Sequence, residues 1–560
     1  MSRAPLPEIL RLPTALVGAF GRRMQREWRA LPPHQWALAL PRPNGLAIRP
    51  RDWRPADAAR GAQLLRGFFE LGGERLDVGA GGDPWRKPSP SRRFEAALHG
   101  FAWLPDLLTQ GEAGAREALR LWLEWRRRFG RYDDVAWSGV ALERRVFNLA
   151  CGAEALAALV SEAEGGAYVD GLARQARHLA GAPEDPGRAA ERLTVAALVG
   201  AALTGPAGED LRRRTLPRLA TRVAAAVLPD GVHASRAPER GLDLLFDLVA
   251  LDDALSQLGA PSPPEVSRAI DRLAAATRFF ALADRRLAAF QGGEAGRRAD
   301  VAAALALSAG AGELPRALAY GGYQRLEGGP LQLLVDAGAP AASAFAGTAC
   351  AQPAAITVVC AGRRLIAGAA WSAHTGVGGA LRGPEGASCL GLDGEWPRSA
   401  LRQGLMALGA AERLESGLAA VIAERNQNDG DIWLDIGHDG WPGFACARRL
   451  YLDTAAGELR GEDSLAPAGR RRRAPAPFTI RFILAPDVAA QVAVDGRSAV
   501  LRLPDARGWR LRSDAAETRL SQGALFEDGQ GRATQVLSLH GLAQPDMETR
   551  VRWKLSRNEG

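Results

Sequence analysis

Apolar residues recur with a helical period over the first part of the chain, from about residue 58 to about residue 307. One stripe, at positions i, i+4, i+7 and i+11, consists of Ala118, Trp122, Trp125 and Phe129. A second stripe consists of Leu244, Leu248, Leu251, Leu255 and Leu258. Such spacing places each set on one face of a helix, and glycine- and proline-rich breaks separate the stretches. The pattern predicts successive helix pairs, arranged as a solenoid or as an α-toroid.

After about Gly321 the apolar period changes to two, which is typical of β-strands. The alternation is clear at Phe478, Ile480 and Phe482, and again at Val551, Trp553 and Leu555. Turn-forming pairs between apolar runs include Ala361-Gly362, Asp429-Gly430, Asp495-Gly496 and Asp528-Gly529. Many short strands joined by such turns predict a large antiparallel β-sandwich. Within this part, the segment from Gly461 to Pro477 is predicted to be a long loop.

The change of period predicts a multidomain chain, α first and then β. Its 560 residues exceed what one hydrophobic core usually organises. We predict an N-terminal extension over residues 1–50, an α-helical domain over residues 51–310 and an antiparallel β-sandwich over residues 315–560.

Basic residues outnumber acidic ones, with 71 Lys+Arg against 63 Asp+Glu and a net charge of +8. The excess is arginine, because Lys87 and Lys554 are the only lysines. Arginine suits bidentate contact with carboxylate, sulfate or phosphate groups, although a bias in genome composition explains the preference equally well. Because the basic residues are dispersed and no recognition motif is present, we expect no nucleic-acid partner.

Cysteine and histidine usage argues against disulfides and metals. The five cysteines lack a C-x-x-C pair, and the seven histidines lack an H-x-x-x-H pair. We therefore expect no disulfide framework, no metal and no cofactor. No segment reaches the roughly 20 apolar residues that span a bilayer, and the first 23 residues lack a secretory pattern. A cytoplasmic location is predicted, and the oligomeric state stays open.

Several short segments, in a fixed order along the chain, carry a resemblance to a known family. In the helical part they are Gly82-Asp83-Pro84-Trp85, Pro88-Ser89-Pro90-Ser91-Arg92, His99-Gly100-Phe101-Ala102-Trp103-Leu104, Val135-Ala136-Trp137 and Asp230-Gly231-Val232-His233-Ala234-Ser235-Arg236. In the strand part they are Gly322-Tyr323-Gln324-Arg325-Leu326, Asp336-Ala337-Gly338 and Val551-Arg552-Trp553. With them the chain resembles the bacterial heparinase II/III-family proteins over most of its length.

The resemblance implies an incomplete α-toroid followed by a β-sandwich, with an active site in the cleft between them. It also implies a polysaccharide lyase that cleaves an acidic, uronic-acid-containing glycan by β-elimination. Such chemistry needs a group that neutralises the substrate carboxylate, a base that removes the adjacent proton and an acid for the leaving oxygen. Because the family tends to act on envelope or exported polysaccharides, the cell envelope or periplasm is the alternative location.

At three family positions this chain has other residues. Where the family has an Asn-His pair on a toroid helix, this chain reads Ala190-Glu191-Arg192-Leu193-Thr194. A Tyr-His pair after the Asp-Gly turn is replaced by Glu239-Arg240-Gly241, and the sandwich histidine segment reads Ala344-Phe345-Ala346-Gly347-Thr348. These differences favour a first alternative, a catalytically degenerate relative that binds or guides an envelope polysaccharide.

Polar residues near the expected cleft are the candidates for the lyase roles. His233 and Arg236 follow an Asp-Gly turn between helices, which makes His233 a candidate base and Arg236 a candidate carboxylate clamp. Tyr323, at the start of the strand part, is the candidate acid, and His374, in a glycine-rich loop, is the other candidate base. The alternative is structural: Ser235 caps the next helix, His233 is merely exposed and Tyr323 belongs to the core.

Substrate binding is predicted for Arg236, Arg325, Trp85 and Arg86. Trp85 is the best candidate for stacking on a sugar, because the other tryptophans of this part are mostly expected in the core. For the lyase and for the non-catalytic binder alike, the arginine excess predicts an electropositive interdomain cleft that binds an acidic polysaccharide.

A glycoside hydrolase on an α-toroid is the second alternative function. It would need two facing carboxylates about 5–10 Å apart. Glu239 and Asp243 are the candidates.

Overall fold

The computed structural model describes most of the chain. The described residues are 8–182, 185–307, 312–373, 375, 377–402, 412–416, 418, 421–470, 472–505 and 507–558.

Thirteen α-helices lie within the described residues, all of them before residue 308. They are α1 Glu8–Ala30, α2 Pro32–Ala39, α3 Ala58–Leu65, α4 Arg92–His99, α5 Leu104–Leu108, α6 Gly111–Phe129, α7 Gly139–Ala157, α8 Glu162–Gly181, α9 Ala189–Ala202, α10 Pro206–Ala226, α11 Pro238–Gln257, α12 Pro264–Phe280 and α13 Arg298–Leu307. A small hairpin of strands β1 Phe68–Leu71 and β2 Glu74–Asp77 interrupts them.

The predicted apolar stripes form the core of the helical part. Trp122 and Trp125 of α6 are buried, as are Leu244, Leu248 and Leu251 of α11. Helix α9 packs against α7, α8, α10 and α11 and is buried along almost its whole length. Small residues such as Ala196 and Ala197 let the neighbouring helices approach it closely.

The second part is built from nineteen described strands. They are β3 Ala317–Leu318, β4 Tyr323–Gly328, β5 Leu331–Asp336, β6 Ile356–Cys360, β7 Arg363–Ala367, β8 Leu390–Leu392, β9 Ser399–Arg402, β10 Arg413–Ser416, β11 Val421–Asn428, β12 Asp431–His438, β13 Phe444–Asp453, β14 Glu458–Pro467, β15 Ala476–Leu484, β16 Ala489–Val492, β17 Ser498–Arg502, β18 Gly508–Ser513, β19 Glu517–Glu527, β20 Gln530–Ala543 and β21 Thr549–Arg557.

Two large antiparallel sheets enclose the second core. One has the strand order β11-β12-β13-β14-β21-β18-β17-β16, and the other has the order β19-β20-β15-β7-β6-β5-β4-β3, with β8 paired to β15. Apolar side chains from both sheets, such as Leu434 and Ile480, belong to one buried cluster. A helical part followed by a large antiparallel sandwich was the predicted order, and it is confirmed.

The prediction of a long loop from Gly461 to Pro477 is wrong, because strand β14 includes residues 458–467. The inward-facing positions of this strand include Gly461 and Asp463, which break the expected apolar alternation. Gly461 leaves room for the Trp553 indole, since a Cβ there would lie 2.1 Å from that ring. The Asp463 carboxylate accepts hydrogen bonds from Arg448 Nε at 2.7 Å and Trp553 Nε1 at 2.9 Å, so the buried charge is paired.

The tip of the β19–β20 hairpin contacts the helical part. The Gly529 amide donates to Glu294 Oε2 at 2.8 Å, and the Gly529 carbonyl accepts from Arg93 of α4. Arg93 in turn forms an ion pair with Glu294 at 3.0 Å. A second ion pair joins Arg286 to Asp528 at 3.0 Å. The two parts are therefore joined by charged groups far apart in sequence.

Two kinds of feature are missing from the described residues: a membrane-crossing helix and a cluster of metal ligands. No helix among these residues combines the length and apolar character needed to cross a bilayer. Nor do three or more His, Cys, Asp or Glu side chains cluster as metal ligands in the parts of the chain that the structure describes.

A buried neutral histidine makes stability depend on pH. Trp125 Nε1 donates to His99 Nδ1 at 3.0 Å, so this nitrogen carries no proton. Burial, helped by the Arg145 cation, lowers the pKa of His99 to about 4. The unfolded chain takes up this proton near pH 6.5. The stabilisation is therefore complete above about pH 6.5 and is lost as the pH falls towards 4.

We expect His99→Asn to reduce the acid sensitivity of the fold. Asparagine keeps an acceptor for Trp125 but binds no proton. Between pH 7.5 and pH 5 the wild type should therefore lose about 2 kcal/mol more unfolding free energy than the variant. Urea unfolding at the two pH values measures this difference. Equal losses in both proteins would contradict the prediction.

Candidate functional site

The loop between α10 and α11 brings His233 and Arg236 to the junction of the two parts. Asp230 opens the loop, and its carboxylate accepts hydrogen bonds from the amides of Val232 at 3.3 Å and Gly321 at 2.7 Å. Gly231 has a φ of 86°, and a Cβ there would lie 2.0 Å from the Arg272 carbonyl oxygen. Glycine is therefore required at this turn. The loop is fixed against the start of the strand part.

His233 lies at the bottom of this junction with a fully buried side chain. Its Nδ1 accepts a hydrogen bond from the Ser235 amide at 3.1 Å and lies 2.8 Å from Ser235 Oγ. Because an amide can only donate, the proton of the neutral ring is on Nε2, which points to Glu191 Oε1 at 3.6 Å. Phe345 covers the ring, with centroids 5.7 Å apart and planes nearly perpendicular.

Burial and nearby arginines keep His233 neutral. Burial is the main reason that the pKa of His233 falls to about 3, and the Arg240 cation contributes further. Glu191 accepts hydrogen bonds from Arg240 Nε at 2.9 Å and Nη2 at 2.8 Å. Burial alone would raise the pKa of Glu191, but Arg240 and Arg188 outweigh it and lower that pKa to about 2.

Glu191 was not predicted as part of the site. It and Arg192 are the charged residues of the otherwise apolar helix α9. A charged pair in such a helix was the available signal, because a buried charge needs a partner. Here the partner is Arg240.

The guanidinium nitrogens of Arg236 all donate to oxygen atoms of the protein itself. Its Nε donates to the Gly321 carbonyl at 2.8 Å, and its Nη1 donates to the carbonyls of Gly338 and Ala339 at 3.2 and 2.8 Å. Its Nη2 forms a buried ion pair with Asp336. The predicted carboxylate clamp is therefore occupied by protein groups in this structure.

Tyr323 lies directly beneath Arg236. The guanidinium is 4.8 Å from the centre of the Tyr323 ring, and the Tyr323 hydroxyl donates to the Arg236 carbonyl at 2.5 Å. The side chain is buried, and burial raises the pKa of Tyr323 well above its usual value. The structure thus brings His233, Arg236 and Tyr323 together at one junction, but in a closed, hydrogen-bonded cluster.

The other predicted binding residues, Trp85, Arg86 and Arg325, make protein contacts of their own. Trp85 is half-buried, donates Nε1–H to the Leu121 carbonyl at 3.1 Å and packs on His99. Arg86 is exposed and pairs with Asp83 at 3.4 Å. Arg325 is buried, with Glu327 at 2.6 Å and the Ala281 carbonyl at 3.0 Å as acceptors. His374 lies outside the described residues.

The carboxylates of the hydrolase alternative lie on one helix. Glu239 Oε2 accepts a hydrogen bond from the Glu294 amide at 2.7 Å, and burial, followed by the Glu294 charge, raises the pKa of Glu239 to about 8. Asp243 is one turn further along α11 and lies 3.6 Å from Arg54 Nη2. Side chains at i and i+4 are neighbours on the same face. They therefore do not flank a bound sugar from opposite sides.

Comparison with known proteins places this geometry in a family. The family model "Heparinase II/III-like, C-terminal" matches residues 311–554. Among curated proteins, "FtsZ-localized protein C" of Caulobacter vibrioides is 45% identical over 546 residues, which are 96% of this chain and 94% of that protein.

Solved structures share the fold at low sequence identity. Heparinase III superposes with a TM-score of 0.68 at 12% identity, covering 87% of this chain and 81% of that one. A mutant of heparan sulfate lyase HepC from Pedobacter heparinus superposes with a TM-score of 0.56 at 13% identity, covering 98% and 91%. Likeness at this level shows the fold, an α-toroid followed by a β-sandwich. The chain therefore belongs to the heparinase II/III family.

Proposed function

We propose that this chain is a non-catalytic member of the heparinase II/III family, which acts by binding an acidic glycan at the place where FtsZ assembles. The observation that carries the proposal is the state of His233. Its side chain is fully buried, and a backbone amide occupies the nitrogen lone pair that a base would use.

A lyase needs these same groups to be open to the substrate. A general base must lie within hydrogen-bond reach of the proton that it removes. His233 Nε2 bears the ring proton, and Phe345 covers the ring. Arg236 is bound to Asp336 and to three carbonyls, so binding a uronate carboxylate would require these contacts to break. The closed cluster therefore favours a structural role for the junction.

The cellular part of the proposal is supported by the Caulobacter relative. Its name states that it is localized with FtsZ, and the 45% identity extends over nearly the full length of both chains. Such similarity is what two proteins with the same location and partners would show. The acidic glycan is proposed because the family acts on polymers of this class.

We expect the purified protein to leave acidic polysaccharides uncut. The rise in ultraviolet absorbance from unsaturated uronate ends, measured on heparin, heparan sulfate and unsulfated polyuronates, should equal that of a protein-free blank. Heparinase III serves as the positive control. A protein-dependent rise that His233→Ala, His374→Ala or Tyr323→Phe abolishes would contradict the proposal and assign the lyase roles to those residues.

We expect a fluorescent fusion of the protein to co-localise with FtsZ in its native cell. The fusion should disperse when FtsZ is depleted, because the location depends on FtsZ assembly. Free fluorescent protein is the control for nonspecific signal. An even distribution in cells with intact FtsZ structures would contradict the cellular part of the proposal without bearing on catalysis.

We expect Glu191→Gln to destabilise the fold strongly. It leaves Arg240, whose side chain is 12% exposed, without its anionic partner, and breaking a largely buried pair in this way costs about 3–5 kcal/mol. Glu154→Gln is the matched control, because Glu154 pairs with Arg49 at an exposed site and should cost less than about 1 kcal/mol. Urea unfolding measures both. Similar values for the two variants would contradict a structural role for the cluster.

A further inference from the structure

A row of aromatic and basic side chains crosses the solvent face of the eight-stranded sheet. Its members are direct cross-strand neighbours on β12, β13, β14, β21 and β18. In order across the sheet they are Trp433, Tyr451, Arg460, Lys554 and Arg512. With strands about 4.8 Å apart, the row is about 19 Å long. This row lines a groove of about 700 Å³, which we name the outer groove.

The aromatic end of the outer groove offers a fixed ring surface. Trp433 is 50% exposed, and its ring centre lies 4.2 Å from that of Tyr451. The Tyr451 hydroxyl donates to Asp431 Oδ2 at 2.5 Å, which fixes the orientation of that ring. An exposed tryptophan held by a neighbouring ring provides a flat apolar platform at little entropic cost.

The other end of the outer groove is basic. Five basic side chains but only two acidic ones line it. Arg552 and Arg449 pair with Glu462 at 2.8 and 3.4 Å, and Lys554 pairs with Glu458 at 2.7 Å. Arg512 is exposed and forms no ion pair with any residue that the structure describes. An anion can therefore bind there without displacing a carboxylate.

We propose that the outer groove binds an anionic oligosaccharide. A sugar ring stacks on Trp433, and a carboxylate or sulfate group of the chain is bound by Arg512. Guanidinium groups bind such anions through charge-assisted hydrogen bonds. This inference rests on the proposed glycan-binding function and gives it a location away from the His233 junction.

An acidic peptide fits the outer groove less well than a glycan. Strands β12, β13, β14, β21 and β18 each have a neighbour on both sides, so their backbone groups are already paired. A peptide there could not add a strand and would gain no main-chain hydrogen bonds from the sheet. Its binding would depend on charge alone, whereas a saccharide also uses the aromatic platform.

Calorimetric titration of the full chain with defined oligosaccharides tests the inference. The probes are a heparin hexasaccharide, an unsulfated uronate hexasaccharide, a neutral cellohexaose and a polyglutamate peptide. We expect Trp433→Ala and Arg512→Ser each to weaken binding of the two anionic saccharides about tenfold or more, because the first removes the stacking surface and the second removes a charge-assisted hydrogen bond. Binding should also weaken as salt is raised.

Two variants serve as matched controls. Arg510→Ser removes an exposed arginine from the same strand and face, outside the groove lining, and Trp36→Ala removes an exposed tryptophan from α2. Both should bind as the wild type does. Thermal unfolding should show that all four variants are folded, because each changed side chain is exposed or half-exposed.

Two results would overturn the inference. One is unchanged saccharide affinity in both groove variants, and the other is polyglutamate binding as tight as that of the saccharides and equally sensitive to Arg512→Ser. Absence of saccharide binding in the wild type would remove both this inference and the proposed glycan partner. Cleavage of a saccharide would remove the non-catalytic proposal while leaving the groove result to stand by itself.

Discussion

The junction of the helical and strand parts depends on the need to satisfy one buried guanidinium. Arginine cannot lose its proton in a protein, so every buried N–H of Arg236 requires an oxygen. Those oxygens come from Gly321, Gly338, Ala339 and Asp336, at the edge of the first strands of the sandwich. Arg236 itself has a φ of 63°, a conformation that costs an L-residue about 1–2 kcal/mol. The contacts it makes outweigh that cost and bring the α10–α11 loop against the sheet.

The same need explains where much of the arginine excess is used. Arg145 and Arg448 are fully buried and donate to oxygens of the interior. At the junction, Arg93, Arg286 and Arg364 are paired with Glu294, Asp528 and Asp284. These three arginines are neutralised by carboxylates at the junction and are not free to bind a polyanion there. On the outer face of the sandwich, Arg512 forms no ion pair with any residue that the structure describes.

Sequence patterns predicted the architecture well because they reflect burial along single elements. The stripe at Trp122 and Trp125 and the turn at Asp528-Gly529 each depend on nearby residues only. Strand β14 was missed because Gly461 and Asp463 are fitted to the side chain of Trp553, which is distant in sequence. A local pattern cannot report a partner about 90 residues away.

The candidate site shows the same division between local and distant information. Proximity of His233, Arg236 and Tyr323 followed from their places beside the junction. The sequence did not predict that these side chains contact only other protein groups. That arrangement depends on Phe345 and Glu191, which lie on two other elements. Whether a polar side chain faces a substrate or a carbonyl is set by the tertiary structure. The spacing of residue types along the chain therefore does not predict which way such a side chain faces.

The contact of the β19–β20 turn with Glu294 has a consequence for the order of events during synthesis. The N-terminal part leaves the ribosome first and can fold as a unit. Glu294 and Arg93 are then complete, but the Gly529 amide that Glu294 binds is made more than 200 residues later. The nascent helical part therefore keeps an unfilled acceptor at its surface until nearly the last strand is translated. The helical and strand parts can therefore complete their contact only when the polypeptide is almost finished. In a chain truncated before Gly529, the Glu294 carboxylate stays without this partner.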